Sequence, residues 1–411
     1  MDGNAYQWPA EGFAHIPDWV YTSEAIYERE VERIFKGPTW NFVGFEAEIS
    51  QPGDFRRSFV GPIPVVVSRA RDGSIHVFEN RCQHRGAEFC RELRGNTSSF
   101  VCPYHQWSYN LKGDLTGVPF RRGIKGQGGM PDDFEPQSHG LLKLAVTTRR
   151  GVIFASYDSE TPPLEDYLGP ETLAHFDATF DGREIKILGY YHNAVRGNWK
   201  LYHENLKDPY HATLLHTYLV TFGLLVAGQR SAMIADASGR HGTMASAKGD
   251  TDPEAVAASV GEMRKYEANY TLEDDRVIRF HPEFDSEWTV TMQTIWPNLI
   301  VQRELNTLGI RQIVPKGPHE FDMHWVMFGF ACDTPALTEL RLCQANLMGP
   351  AGYLEAEDNE AIAFVQDGIR HSTSDTGFVR LEPEVEGTST NIVSEAAIRG
   401  MYRHYAETMG L

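Results

Sequence analysis

Two short cysteine–histidine pairs constrain this chain more than any other feature. Cys82-x-His84 is followed, after seventeen intervening residues, by Cys102-x-x-His105. Neither pair completes a four-ligand site, so the fold must bring two loops side by side. Further along, the run from Glu204 through Asn205, Asp208, Tyr210 and His211 to His216 holds a second group. Two histidines and a carboxylate from elsewhere in the chain would form the donor set of a single iron with open positions. One site would store electrons and the other would activate oxygen. The combination points to a redox reaction rather than to binding alone.

Thiolates suit iron–sulfur clusters, and a [2Fe–2S] cluster in which two histidines replace two cysteines is of the Rieske type. Imidazole gives less electron density than thiolate, so such a cluster takes electrons at a higher potential. A Cys2His2 zinc site is the competing reading. Common zinc spacings group cysteine with cysteine and histidine with histidine, whereas each pair here is mixed. That mixing favours the cluster.

Spacing alone says less about the second group. Five residues of regular helix turn through about 500°, so His211 and His216 would point roughly 140° apart. One metal can take both only if the helix is distorted or ends between them. By spacing alone, core or surface histidines are the more common explanation. Asp208 before Pro209 also reads as an ordinary helix start, with Asp at the N-cap and Pro at the first helical position. That role is compatible with a second one.

The totals remove other classes. A formal net charge of −18 and the lack of any Lys/Arg run argue against nucleic acid. No apolar stretch approaches the eighteen or so residues of a membrane span, and no secretory signal is visible. Five cysteines in 411 residues fit a reducing compartment, so the cytoplasm is expected. Cys90, Cys332 and Cys343 are expected to be buried and inert.

Apolar periodicity predicts a helix over 23–36 with Ser23 as its cap. From about 39 to 157 the texture is strands and turns, with hairpins around Asp72-Gly73 and Lys112-Gly113-Asp114. The glycine-rich stretch Gly123 to Pro131 links no strand to a helix and is no nucleotide loop. Ser156 to Pro163 reads as a linker. Asn198 to Phe222 reads as helix-rich, Trp288 to Leu305 and Phe321 to Phe330 as alternating antiparallel strands, and Ser394 to Met409 as a terminal helix.

Asn80-Arg81-Cys82-Gln83-His84-Arg85-Gly86 and Cys102-Pro103-Tyr104-His105-Gln106-Trp107 resemble the two cluster loops of Rieske aromatic-ring-hydroxylating oxygenases. Asn198-Trp199-Lys200, Glu204-Asn205, Asp208, Tyr210-His211 and His216 resemble the mononuclear-iron segment of that family's large subunit. The resemblance implies a [2Fe–2S] cluster on Cys82, His84, Cys102 and His105, and an iron on His211 and His216. It puts the third ligand at Asp358, at the end of the segment Gly349 to Asp358. By composition alone, Glu355, Glu357 and Glu360 would serve equally well. Asp208 falls on the aspartate that, in the family, links an iron ligand to a cluster histidine of the neighbouring subunit, here His105. Asn205 lies one residue nearer that aspartate than in naphthalene-type members and is given no iron-facing role.

The fold implied is α+β: an antiparallel β Rieske domain, expected at 39–157, and a helix-grip-type catalytic domain at 158–411. The latter would be a twisted antiparallel sheet covered by helices, with residues 1–38 packing on it. No dinucleotide-binding pattern is visible, so an NAD(P)H-dependent reductase and a ferredoxin are implied as partners. A trimer of large subunits with small β subunits, α3β3, is the family's usual assembly. Phe120-Arg121-Arg122-Gly123 and Ile398-Arg399-Gly400-Met401-Tyr402 look most like salicylate 5-hydroxylases, with anthranilate and terephthalate dioxygenases near them. The substrates implied are O2 and a small aromatic acid. Arg311 matches one of the two carboxylate-binding arginines of terephthalate enzymes, and apolar Ile392 stands at the other. One substrate carboxylate is therefore expected, on Arg311. Gln302, Leu206, Ala212 and Leu354 are expected to line the pocket.

Overall fold

The computed structural model describes residues 6–225, 228–251, 253–263, 270, 272–373 and 375–411. They form two units, Phe35–Pro162 and Met1–Ile34 with Pro163–Leu411.

In the first unit a seven-stranded antiparallel sheet has the order β1-β10-β9-β4-β3-β2-β5. These strands are β1 (Asn41–Phe45), β2 (Asp54–Val60), β3 (Ile63–Arg69), β4 (Ile75–Glu79), β5 (Arg94–Asn96), β9 (Lys143–Arg149) and β10 (Val152–Ser156). Val65, Val66 and Val67 are fully buried, as β-branched residues of a central strand should be. Gly73, at φ +86°, makes the turn between β3 and β4. A second sheet has three short strands, β6 (Phe100–Val101), β7 (Ser108–Tyr109) and β8 (Leu115–Gly117). Phe55, Phe78, Phe89, Phe100, Trp107 and Tyr109 fill the core that supports both cysteine loops.

This unit is longer than the expected 39–157 at both ends, for visible reasons. Phe35 is fully buried and packs so closely on Gly61 that a Cβ there would lie 2.6 Å from its ring. The stretch read as a linker is tied down: Trp40 Nε1 donates to Pro162 O at 2.7 Å, and Ser156 Oγ pairs with Thr161 Oγ1 at 2.7 Å.

The second unit holds another seven-stranded antiparallel sheet, of order β11-β17-β16-β15-β14-β13-β12. Its strands are β11 (Ile185–Arg196), β12 (Gln229–Ala235), β13 (Gly242–Thr251), β14 (Val290–Ile295), β15 (Leu299–Glu304), β16 (Thr307–Pro315) and β17 (Glu320–Phe330). β15 and β16 are buried at every position, not at alternate ones. Both faces of the sheet are covered there. On one face, Gln293 Nε2 donates to Thr172 O at 2.8 Å. Thr172 lies on the helix Leu164–Thr179, which has a kink at Gly169. On the other, Arg311 reaches Tyr202 and Glu355.

The helix expected over 23–36 is shorter. It is α1 (Glu24–Glu30), capped by Ser23, and it passes into a π-helical turn over Val31–Phe35. Glu30 is fully buried in the second unit, where Trp199 Nε1 and Lys200 Nζ donate to its carboxylate at 2.8 and 2.6 Å. Two short helices, α2 (Trp199–Asn205) and α3 (Pro209–Leu214), precede α4 (Thr217–Thr221). They are followed, beyond the sheet, by α5 (Pro335–Met348), α6 (Tyr353–Arg370) and α7 (Ala396–Met409). Cys90 is buried as expected, but Cys332 is exposed and Cys343 half-buried. Among the described residues no helix is long and apolar enough to cross a membrane.

Candidate metal centres

The two cysteine loops are built on one backbone plan. Cys82 N donates to Ala87 O at 2.9 Å, and Cys102 N donates to Trp107 O at 2.8 Å. Gly86 N and Gln106 N return to the carbonyls of Cys82 and Cys102, both at 2.9 Å. Closing each loop requires a left-handed residue, and these are Gly86 at φ +74° and Gln106 at φ +60°. The histidine sits at the second position after cysteine in one loop and the third in the other. That offset brings the rings of His84 and His105 together, centroids 4.4 Å apart. Trp107 stacks on His84 at 4.9 Å with planes 6° apart. Both thiols are buried, whereas His84 is exposed and His105 half-buried. Burial pushes the Cys82 thiol up, the Tyr109 hydroxyl at 3.3 Å opposes this, and the nearby Cys102 thiol adds to it. Two buried sulfurs side by side, with two imidazoles at the rim, fit a Rieske cluster.

The iron segment breaks where spacing required it to. Asp208 caps α3, accepting from Tyr210 N at 2.9 Å and His211 N at 3.4 Å, and Pro209 takes the first helical position. α3 then ends at Leu214, and His216 stands in the break before α4 with φ −87° and ψ 65°. Leaving the helix lets both rings face one point. His211 Nε2 and His216 Nε2 lie 3.5 and 3.1 Å from Asp358 Oδ1. The three donor atoms lie within 4.8 Å of one another. Asp358 comes from α6, on the same buried helix face as Glu355.

Electrostatics favour a cation there. Burial opposes charge on His211, but hydrogen bonds to Asp208 and Asp358 overcome it and push its pKa up to about 10. Burial likewise resists a charged Asp358, yet His211 and His216 hold its carboxyl well below the usual range. A site that keeps protons on two imidazoles around one carboxylate also favours a divalent ion in their place. The donor set, two imidazoles and one carboxylate beside a cavity, fits a mononuclear iron. Glu357 Oε2 lies 2.7 Å from His216 Nδ1 and fixes that ring, as outer carboxylates do for metal-bound histidines. Asp208 Oδ2 lies 3.4 Å from His211 Nδ1.

The four acids that composition could not separate occupy four environments. Asp358 faces the histidines, and Glu357 holds His216 from behind. Glu360 is exposed. Glu355 is fully buried, accepting from Tyr202 Oη at 2.7 Å and Arg311 Nη1 at 3.2 Å. Burial pushes Glu355 up to about 7, against the pull of Arg311.

Two expectations about the pocket are corrected. Arg311 does not line the cavity beside the histidines: it is fully buried under α2, paired with Glu355 and bonded to Tyr202. Gln302 is also buried outside the lining, where it donates to Glu304 Oε2 at 3.0 Å. Leu206, Ala212, Leu354 and Ile392 do line the cavity. Asn205, given no iron-facing role, stands at the centre, with Nδ2 2.9 Å from Asp358 Oδ1 and 3.3 Å from His211 Nε2. Glu304 was missed. It ends a strand whose second half is polar and carries no local motif, and only the sheet brings it to the cavity.

Comparisons with known proteins agree with this geometry. Residues 39–127 match the Rieske [2Fe-2S] domain, and residues 180–411 match the ring hydroxylating alpha subunit (catalytic domain). The chain is 45% identical to the large oxygenase component of salicylate 5-hydroxylase from Ralstonia sp, over 98% of this chain and 96% of that one. It is 44% identical to the anthranilate 1,2-dioxygenase large subunit of Burkholderia cepacia, over 100% of this chain and 96% of that one. The fold is similar to naphthalene 1,2-dioxygenase from Rhodococcus sp., with TM-score 0.77 at 22% identity, covering 96% of this chain and 94% of that chain.

Proposed function

The chain belongs to the ring-hydroxylating oxygenase alpha subunits, and from that premise we propose that it hydroxylates salicylate or a closely similar benzoate. The class is established: a Rieske non-heme iron oxygenase with a [2Fe–2S] cluster and a mononuclear iron. The choice of salicylate rests on the 45% identity over almost the whole chain. Anthranilate is the second reading, at 44%.

When bound, the cluster supplies single electrons and the mononuclear iron supplies O2 activation. The chain's own residues do the rest. Cys82, His84, Cys102 and His105 would hold the cluster, and His211, His216 and Asp358 the iron. Glu357 keeps the His216 ring turned so that Nε2 faces Asp358. Asp208 would link His211 to the cluster histidine His105 of a neighbouring subunit, which makes an oligomer necessary. Leu206, Leu219, Leu354 and Met292 exclude water from the reacting ring. A ferredoxin, an NAD(P)H-dependent reductase, a β subunit and an α3β3 assembly complete the proposal.

Products from salicylate and anthranilate under ¹⁸O2, with a reconstituted electron-transfer chain, test it. A dihydroxybenzoate carrying one labelled oxygen is expected from salicylate, the other oxygen leaving as water. Catechol carrying two labelled oxygens, from anthranilate alone, would replace the first reading with the second.

A further inference from the structure

The cavity beside the histidines has a floor that can be read from strand register. Ser231 pairs with Ser246, Ser246 with Val290, and Val290 with Glu304 across four neighbouring strands. One row further along, Met233, Met244 and Met292 pair in the same way. Directly paired residues, and residues two apart on a strand, share one sheet face. All seven line the cavity. The floor is thus a methionine row beside a row that runs from serine hydroxyls to one carboxyl. Asp358, His211 and His216 close the opposite side.

Among the described lining residues no Lys or Arg is present. Among the described lining residues, the only carboxyl apart from Asp358 is that of Glu304. Gln302 holds its Oε2 from behind at 3.0 Å, and no described group takes its Oε1. A carboxyl in an apolar cavity is expensive to bury without a partner, so its presence calls for one. Its position is also fixed. Glu304 pairs with Thr307 across a two-residue turn in which Leu305 has φ +54°. That unusual backbone is clamped from α5: Arg341 Nη1 donates to Asn306 O at 2.7 Å, and Gln344 Oε1 accepts from Asn306 N at 3.0 Å. Clamping a hairpin end beside a cavity is how a binding group is held in place.

We infer that Glu304 is a specificity-determining residue: its carboxyl accepts a hydrogen bond from an amino or hydroxyl substituent on the substrate ring. This rests on the reading of the cavity as the place where an aromatic substrate meets the iron. It selects, among benzoates, those carrying a ring donor, and it works against a second carboxylate, which would face an acid and apolar Ile392. A single substrate carboxylate is left to neutral donors such as Ser231, Ser246 and Asn391.

The test is calorimetric binding of four probes to the anaerobic holoenzyme: anthranilate, benzoate, aniline and toluene. Satisfying a buried carboxyl oxygen predicts that anthranilate binds about 10- to 100-fold tighter than benzoate, and aniline tighter than toluene by a similar factor. Glu304→Leu should bring both ratios to about one, and Glu304→Gln, which keeps an acceptor oxygen, should reduce them only in part. Cluster absorbance and iron content report whether each variant is intact. Ratios near one in the native protein overturn the inference, as do unchanged ratios in Glu304→Leu. If that variant loses its metals, undiminished ratios in Glu304→Gln overturn it. Should aniline and toluene obey the rule while neither acid binds, the aromatic-acid reading falls and the role of Glu304 stands. If no probe binds, both fall.

Discussion

The two metal centres are built in opposite ways. The cluster site uses two loops of one design, each closed by its own backbone hydrogen bonds, with all four proposed ligands between Cys82 and His105. The iron site takes its donors from α3, from the break after it and from α6, and no local turn holds them together. Backbone turns position the first. Packing of helices on a sheet positions the second. Damage to one should therefore stay local, while damage around the other should spread into stability.

The largest effects come from the ligands, and they test whether the sites are separable. Asp358→Ala should reduce product formation to background while the visible spectrum of the cluster persists, with iron falling from about three to about two per chain. Cys82→Ala should also stop turnover, but remove the cluster spectrum and leave about one iron per chain. Loss of both metals in either variant would break the comparison.

Next in size is the buried group behind the iron site. Arg311→Leu leaves Glu355 buried without its cation and should cost about 3–5 kcal/mol of stability. Glu355→Gln in the same chain should restore most of it. Folded enzyme carrying both changes should keep the KM of the native protein, because neither group lines the cavity. A large rise in KM in the doubly changed protein would return Arg311 to the substrate.

His203 gives a pH-dependent test confined to the second unit. It is fully buried against Trp199 and Trp296, with Nε2 2.8 Å from Pro297 O. Burial, then the charge of Lys207, lower its pKa to about 3. The neutral ring is therefore the native form. Its stabilisation is fully present above the unfolded value near 6.5 and is lost as pH falls from there towards 3. His203→Gln removes that dependence. The stability gap between native protein and variant should be widest above pH 6.5 and close by up to about 1.4 kcal/mol per pH unit below it. A gap that does not change between pH 7 and 4, by denaturant unfolding, would show that His203 is not held neutral.

The same contrast explains what could be read from sequence. The proposed cluster ligands stand out in the sequence because ligand types, spacing and turn residues lie within one short stretch. His211 and His216 were legible as a pair only through resemblance, since five-residue spacing argues against a shared metal until the helix is known to stop at Leu214. In sequence, Asp358 could be told from Glu355 and Glu357 only through resemblance, because all lie on one acidic helix and only packing shows which of them faces the histidines. Arg311 was misread because a buried arginine on a strand looks the same in sequence whether it meets substrate or Glu355. Glu304 was invisible because its meaning depends on pairing with Val290 and, through it, with Ser246. Trp288 to Leu305 does form antiparallel strands, but their burial does not alternate, for a related reason. Where both faces are covered, polar residues such as Gln293 and Arg303 are buried with the apolar ones.

The smallest effect sharpens the comparison within the cluster site itself. Gly86 and Gln106 hold the same place in two loops of one design, both at left-handed φ, yet only one is glycine. At Gly86 an added Cβ would lie 3.3 Å from the flexible Arg81 guanidinium, so crowding is relieved by side-chain movement and the backbone penalty remains. Gly86→Ala should cost about 1–2 kcal/mol, read as a shift in the denaturant midpoint for loss of cluster absorbance. Gln106→Gly relieves the same penalty but gains unfolded-state entropy that offsets about 0.5–1 kcal/mol of it. Its net effect should be neutral to slightly stabilising. Opposite substitutions at equivalent positions thus have unequal outcomes, because glycine's freedom acts on the unfolded chain as well as on the loop. A loss in Gln106→Gly as large as in Gly86→Ala would mean that the Gln106 side chain, and not its φ, holds the second loop closed.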